Sequence, residues 1–253
     1  MPEFLWLLPV GFVLGAYGTL IGAGGGFLLV PLLLLLYPKA SPHTVATISL
    51  SVVFVNALSG SLAYARMRRI DYKSGLLFST ATVPGAIVGA LATDRMPRRP
   101  FDLLVGVMML AICVFLLRRP SVEVAGGGGR WVMRRRVVEA DGTVHEYSYN
   151  PVLGVGLSLG VGFLSSLLGI GGGIIHVPVM ANLLHFPVHL ATATSHFTLA
   201  IMSLTGAAVH GLEGDFTGVF GRIVPVGGVW IIRFLVVALT FVGVRLILLA
   251  WQG

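Results

Sequence analysis

Gly22-Ala23-Gly24-Gly25-Gly26-Phe27-Leu28-Leu29-Val30-Pro31 decides the fold, because the chain carries it twice. The second version is Gly169-Ile170-Gly171-Gly172-Gly173-Ile174-Ile175-His176-Val177-Pro178. Each lies inside a long apolar run. Three consecutive glycines are costly there, since each weakens a helix interior by about 1 kcal/mol. Backbone that leaves the helix at membrane depth must line protein or a water-filled cavity, because lipid cannot satisfy its N–H and C=O groups. Paired, glycine-interrupted hydrophobic segments in matching halves of a chain point to the binding site of a transporter.

The two stretches belong to a longer register. At a constant offset of 147, Gly15 matches Gly162, Val30-Pro31 matches Val177-Pro178, and Ala46-Thr47 matches Ala193-Thr194. The pattern predicts two internal repeats, each opening with a glycine-broken or re-entrant helix. Residues 1–117 form the first transmembrane repeat, 118–150 an Arg-rich loop, and 151–253 the second repeat.

Composition sets the solvent. Of 253 residues, 56% are hydrophobic and 11% charged, against about 25% charge in a soluble domain. The expectation is an all-α polytopic membrane protein. The net charge of +7 gathers at loops and reflects the excess of Arg and Lys in cytoplasmic loops, not nucleic-acid binding. The lone Cys113 rules out an internal disulfide. Met1-Pro2-Glu3-Phe4 lacks the basic lead of a signal peptide, so the first apolar run is read as a retained part of the fold.

Taken in order, Phe4 to Tyr37 is one broken segment, too long for a single span and too short for two with a turn. Pro42 to Ala65, Ser74 to Thr93 and Phe101 to Leu117 are further spans. Gly85, Gly89 and Ala92 give the third span a small-residue face suited to close helix packing. The 118–150 segment holds six Arg residues, and its Gly126–Gly129 run lacks the strand and GK[ST] context of a phosphate loop. Asp141-Gly142 between β-favouring flanks predicts a small exposed hairpin. Val152 to Leu184 repeats the broken segment and His189 to Val209 the Ser/Thr/Ala-rich span. The end is short: Pro84 to Leu117 is 33 positions, and the corresponding Pro225 to Trp251 is 26. Short or irregular final helices are expected there.

Charge suggests how the halves sit. Arg66–Lys73 carries four basic residues, whereas Leu212–Thr217 carries two acids and no base. Inverted repeats of three crossings each put Arg66–Lys73 and Arg118–Asn150 in the cytoplasm and the acidic loop outside. Arg95, Arg98 and Arg99 fall on the wrong side in that arrangement, so parallel halves with four crossings each remain open.

The breaks create helix N-termini near Phe27 and Ile174. Their unpaired N–H groups and dipole ends would hold an anion without a buried Lys or Arg. The candidate substrate contacts are Gly24, Gly25 and Gly26 with Gly171, Gly172 and Gly173, joined by Thr47, Ser49, Ser51, Thr194, Ser195 and His196 from the matched polar spans. The plain alternatives are that the glycines serve tight helix crossing, and that the hydroxyls bond back to their own helices. Asn56 and its counterpart Ser203 are weaker candidates. His176 and His196 are ionisable groups at membrane depth and candidates for a coupled proton. His185 and His189 have no Cys or carboxylate beside them, so no metal site or other cofactor is expected.

These residues resemble the sulfite exporter TauE/SafE family of small membrane transporters. The likeness lies in Gly-x-Gly-Gly-Gly followed by Val-Pro, twice, and in the Ala-Thr-rich spans Ala46–Ser51 and Ala193–His196. It runs from about Gly11 to Leu117 and from Val152 to about Pro225; the end after Pro225 departs from the pattern. The resemblance implies transport of small sulfur-containing anions such as sulfite, thiosulfate or organosulfonates, coupled to an ion gradient. The expectation is therefore a multi-pass protein of the cytoplasmic (inner) membrane, working by alternating access, with a small anion and the bilayer as partners. A coupling proton or cation and a homodimer are compatible with it. One rival is a membrane assembly subunit with no substrate of its own. A membrane-embedded enzyme is the weaker rival, because no H-E-x-x-H, G-x-S-x-G or buried acid pair occurs.

Overall fold

The structure is a computed structural model that describes residues 7–117 and 132–213. The glycine run at 126–129 and the short segments expected after Phe216 lie outside the described residues. The described residues are helical apart from one hairpin and the connecting turns: α1 (Leu7–Ile21), α2 (Gly26–Leu36), α3 (Pro42–Arg66), α4 (Tyr72–Asp94), α5 (Arg98–Leu117), β1 (Met133–Val138), β2 (Val144–Tyr149), α6 (Pro151–Leu168), α7 (Gly173–Pro178) continued by a π-helical turn (Val179–Leu183), and α8 (Val188–Glu213). By length and composition α3, α4 and α6 can cross a membrane. Leu62, Leu76, Val88, Leu103 and Leu110 face outward, as lipid-facing side chains do.

Helix starts are set locally. Ser41 caps α3 by accepting from the Thr44 N–H at 3.2 Å, with Pro42 at the first helical position. Asp71 caps α4 and Asn150 caps α6, the latter again followed by proline. Pro84 lies inside α4 without ending it; within a membrane, neighbouring helices can absorb that disruption.

Two packing relationships frame the interior. The first joins α4 to α6. Gly85 lies against Leu159 and Phe163, Gly89 against Phe163 and Leu167, and Gly162 against Thr82, so the two helices run side by side in the same direction. The Thr93 hydroxyl donates to the Leu167 carbonyl at 2.8 Å and closes the far end of the seam. The second joins α3 to α8. His43 at the start of α3 meets His210 near the end of α8, while Gly60 and Tyr64 near the end of α3 meet His196 near the start of α8. These two helices are therefore antiparallel.

The second broken segment goes in and comes back. Gly154 on α6 packs on Phe78 near the start of α4, and Leu167 reaches Thr93 near its end. After the break, His176 lies beside Ser158 and Phe78, and Leu184 returns to Gly154. The first segment's α2 packs with Val45, Ile48 and Val52 of α3 and with Phe101 and Val105 of α5 in the largest apolar cluster.

The hairpin is antiparallel, pairing Met133 with Tyr149 through Val138 with Val144. Much of β1 and the turn is exposed, as expected, but the end of β2 is docked. Tyr149 is buried, and its ring packs on Phe186 at 5.1 Å and Phe78 at 5.7 Å. The cause is its two tyrosines, whose rings bury against Phe186 while their hydroxyls find polar partners. We call this end of the helices the hairpin side.

Candidate functional site

The two glycine stretches leave the helix in the same way. Gly22, Gly24 and Gly25 have φ of 82°, 71° and 83°; Gly169, Gly171 and Gly172 have 70°, 80° and 57°. An L-residue there would cost about 1–2 kcal/mol in backbone strain alone. The breaks also touch. A side chain on Gly26 would meet the Ile170 carbonyl oxygen at 2.7 Å, and one on Gly173 would meet Ala23 at 2.7 Å. Glycine thus serves both the bend and the approach.

New helices start at Gly26 and Gly173, where the sequence expects them. Among the described residues, no acceptor reaches the N–H groups of Gly25, Gly26 or Phe27, whereas those of Ala23 and Gly24 are held by the Gly18 carbonyl. On the second break the Gly173 N–H turns back onto the Gly171 carbonyl at 2.6 Å. The α-carbon faces are covered by apolar groups: Val53 lies against Gly24, Gly26 and Gly171, and Leu199 against Gly24.

Polar side chains of α8 and α3 border the first break. The Ser195 hydroxyl lies 3.5 Å from the Gly22 carbonyl. The Thr19 hydroxyl sits 2.9 Å from both the Gly15 carbonyl and the Asn56 side-chain oxygen. Nδ2 of Asn56 and both ring nitrogens of His196 are buried with no partner among the described residues. The His196 ring stands edge-on to Tyr64, centroids 5.6 Å apart, and an added methyl at Gly60 would lie 2.9 Å from its Nε2. Thr19 borders the same glycine. Ser49, Ser165 and Ser166 also carry buried unpartnered hydroxyls, Ser165 beside Gly172. Each unmet buried donor costs about 1–3 kcal/mol, and unmet polar groups in a folded interior call for an explanation.

Other candidates are placed differently. Thr47 donates to the His43 carbonyl at 2.7 Å and Ser51 to the Thr47 carbonyl at 2.8 Å, so both bond back to α3. Thr194 leaves the break and accepts from the Asp71 N–H at 3.1 Å. His176 sits apart from His196, 3.3 Å from Ser158 and edge-on to Phe78.

Sequence reasoning missed Thr19, Tyr64, Asp71 and the pair His43–His210. His43 Nε2 lies 3.0 Å from the His210 carbonyl, and the rings meet at 5.0 Å. Neither histidine has a counterpart at the repeat offset, so the pattern gave no pointer to them.

Asp71 is the most heavily bonded acid among the described residues. Its carboxylate accepts from Arg135 twice (Nε at 2.8 Å, and Nη2), from the Tyr147 hydroxyl at 2.7 Å, and from the Ser74 hydroxyl and N–H. Burial works against its charge, but the hydrogen bonds from Arg135, Ser74 and Tyr147 prevail and hold the carboxyl below its ordinary range. Burial, with the charge of Asp71 second, pushes the Tyr147 hydroxyl far up, so it stays a donor.

A family model described as sulfite exporter TauE/SafE matches residues 7–250. A probable membrane transporter protein of Bacillus subtilis, YunE, is 33% identical over 90% of this chain and 85% of its own length. A probable membrane transporter protein of Methanocaldococcus jannaschii is 28% identical over 81% of this chain and 72% of its own. One from Haemophilus influenzae is 26% identical over 94% and 81%. No solved structure matches the chain.

Proposed function

The chain belongs to the sulfite exporter TauE/SafE family of membrane transporters, and from that premise we propose that it carries a small sulfur-containing anion, such as sulfite, thiosulfate or an organosulfonate, across the cytoplasmic membrane by alternating access. One observation carries this reading. Among the described residues, donors without acceptors border the first break: the N–H groups of Gly25, Gly26 and Phe27 on the break itself, and the Asn56 amide and the His196 ring beside Thr19, whose carbonyl holds the Gly22 N–H. A group of buried donors at a helix N-terminus attracts an anion with acceptor oxygens. Ser49 and Ser195 stand among the free or weakly held hydroxyls. Thr47 and Ser51 would contribute only by leaving their own helix carbonyls. Gly171, Gly172 and Gly173 would shape the second wall, and Thr194 would act from behind through Asp71.

Two inverted repeats remain the organising proposal. Three findings support it: the three matched glycines of each stretch share positive φ, the matched helices α3 and α8 run antiparallel, and the segment α6–α7 returns to the side it came from. Arg66, Arg68, Arg69, Lys73, Arg134 and Arg136 on the hairpin side favour a cytoplasmic hairpin. Val53 and Leu199 cover the breaks, so rocking of the halves would have to part α3 from α8 to admit the anion. Flux of labelled sulfite into or out of proteoliposomes tests the proposal. Well-folded protein with no flux above empty vesicles would favour an assembly subunit instead.

A further inference from the structure

We infer that the β1–β2 hairpin is a latch: docked through Arg135 and Tyr147 onto Asp71, it holds α4 against α8 and closes the hairpin side of the route to the glycine breaks. Three separate anchors support this. Arg135 and Tyr147 both donate to the Asp71 carboxylate. The Tyr149 hydroxyl donates to the Ser74 hydroxyl at 2.8 Å, in the first turn of α4. At the hairpin's other end, the Ala140 N–H donates to the Met67 carbonyl at 3.0 Å, and Glu139 bridges Arg69 at 2.6 Å and His145 at 2.9 Å.

What the anchors hold makes the hairpin more than a decorated loop. Asp71 faces two ways. Its carboxylate takes the hairpin, and its backbone N–H donates to the Thr194 hydroxyl on α8. The Thr198 hydroxyl, one turn further, lies 3.4 Å from the Gly75 carbonyl of α4. Thr194 directly precedes Ser195 and His196, which border the first break. On the other flank, β2 runs through the single residue Asn150 into α6, whose far end carries the second break. The rings of Tyr147 and Phe186 meet at 4.5 Å and bring in the segment that leads into α8. One small element therefore clamps the starts of α4, α6 and α8 together. If it lifts, α4 and α8 are left with only their direct contacts, among them the bonds of Asp71 to Thr194 and of Thr198 to Gly75, and that side can open.

The test uses the full chain with Cys113→Ser, reconstituted in nanodiscs, and has an arm that needs no substrate. Ser195→Cys is reacted with a membrane-impermeant maleimide, and hydrogen exchange of β1 and β2 is followed in parallel. Arg135→Ala should speed both hairpin exchange and labelling roughly tenfold or more, as expected for losing charge-assisted bonds. Tyr147→Phe, which keeps the ring contact, should do so less, and Arg135→Lys should restore part of the protection. If the hairpin exchanges no faster in Arg135→Ala, or exchanges faster while the thiol introduced by Ser195→Cys labels at the unchanged rate, the latch is overturned. The second arm rests on the transport reading. Met67→Cys and Ala140→Cys are joined by a short bismaleimide, a thioether link that sulfite does not cleave, and sulfite flux in liposomes should fall at least roughly tenfold. Undiminished flux overturns the latch. Absence of flux from the parent protein sinks the transport reading alone, and the labelling arm then decides the latch.

Discussion

Gly26 faces Ile170 so closely that a methyl in place of its hydrogen would lie 2.7 Å from the Ile170 carbonyl oxygen and 2.8 Å from the carbonyl carbon. The neighbour is backbone and cannot swing aside. Gly26→Ala should therefore force the two breaks apart, at an overpacking cost of about 1–3 kcal/mol. Sulfite binding, measured by calorimetry on purified protein, should weaken with it. Gly106→Ala is the control, because nothing lies within 4 Å of its added methyl; it should leave both readings where they were.

Backbone conformation gives a second expectation. Gly25 and Gly172 hold φ of 83° and 57°, and a methyl added to Gly172 would also lie 2.9 Å from the Ser165 hydroxyl. Leucine at either position should abolish anion binding while the chain still inserts into the membrane. Unchanged affinity in either variant would remove the breaks from the binding site.

His196 and Asn56 carry buried nitrogens that meet no partner among the described residues. A hydrogen bond to a charged group is worth about 1.5–3 kcal/mol, so His196→Ala or Asn56→Ala should weaken sulfite binding roughly tenfold to a hundredfold. If His196 also carries the coupled proton, His196→Ala should flatten the pH dependence of flux. Sulfite itself takes up a proton near neutrality, so thiosulfate is the cleaner probe. A profile that superimposes on that of the unmodified protein would leave His196 as a ligand only.

The breaks were legible because their cost is visible in one dimension. Three glycines in an apolar run, repeated at a fixed spacing, announce a bend, and both helix restarts fall where expected. The contacts across α8 and α3 were not legible. Nothing local to Asn56 says that Thr19 and His196 will stand beside it, and Thr47 looks as free as Ser49 until the helix shows one bonded and the other not. The hairpin turn is written in Asp141-Gly142. Its docking depends on Asp71, far away in sequence, and a single acid in a basic loop reads as solvated charge.

The Asp71 clamp sets a pH expectation for stability. Its carboxyl is held below the ordinary value of 3.8 in the folded protein. A depressed folded value means that the stabilising contribution is fully present above the unfolded value, near pH 4, and is lost as the pH falls through the folded value. Asp71→Asn keeps the cap on α4, since asparagine caps as well as aspartate, but loses the charge. The melting temperature should therefore lie below that of the unmodified protein by a constant margin from about pH 5 to pH 8. The margin should shrink in stronger acid. A gap that widens as the pH falls would mean that another group governs the clamp.

The seam between α4 and α6 carries the last expectation. Gly85, Gly89 and Gly162 each lie against backbone of the opposite helix: Leu159, Phe163, Leu167 and Thr82. With no side chain there to yield, Gly89→Leu must separate the helices along their length. The Thr93-to-Leu167 hydrogen bond would go with the contact. Loss of that bond alone costs about 0.5–1.5 kcal/mol, and the steric term adds about 1–3 kcal/mol. Gly160 shares α6 with Gly162, but its added methyl meets nothing within 4 Å, so Gly160→Leu should face lipid at little cost. Thermal unfolding followed by size-exclusion chromatography in mild detergent distinguishes the two. A stable Gly89→Leu protein, or an equally damaged Gly160→Leu protein, would show that close glycine packing does not hold α4 and α6 together.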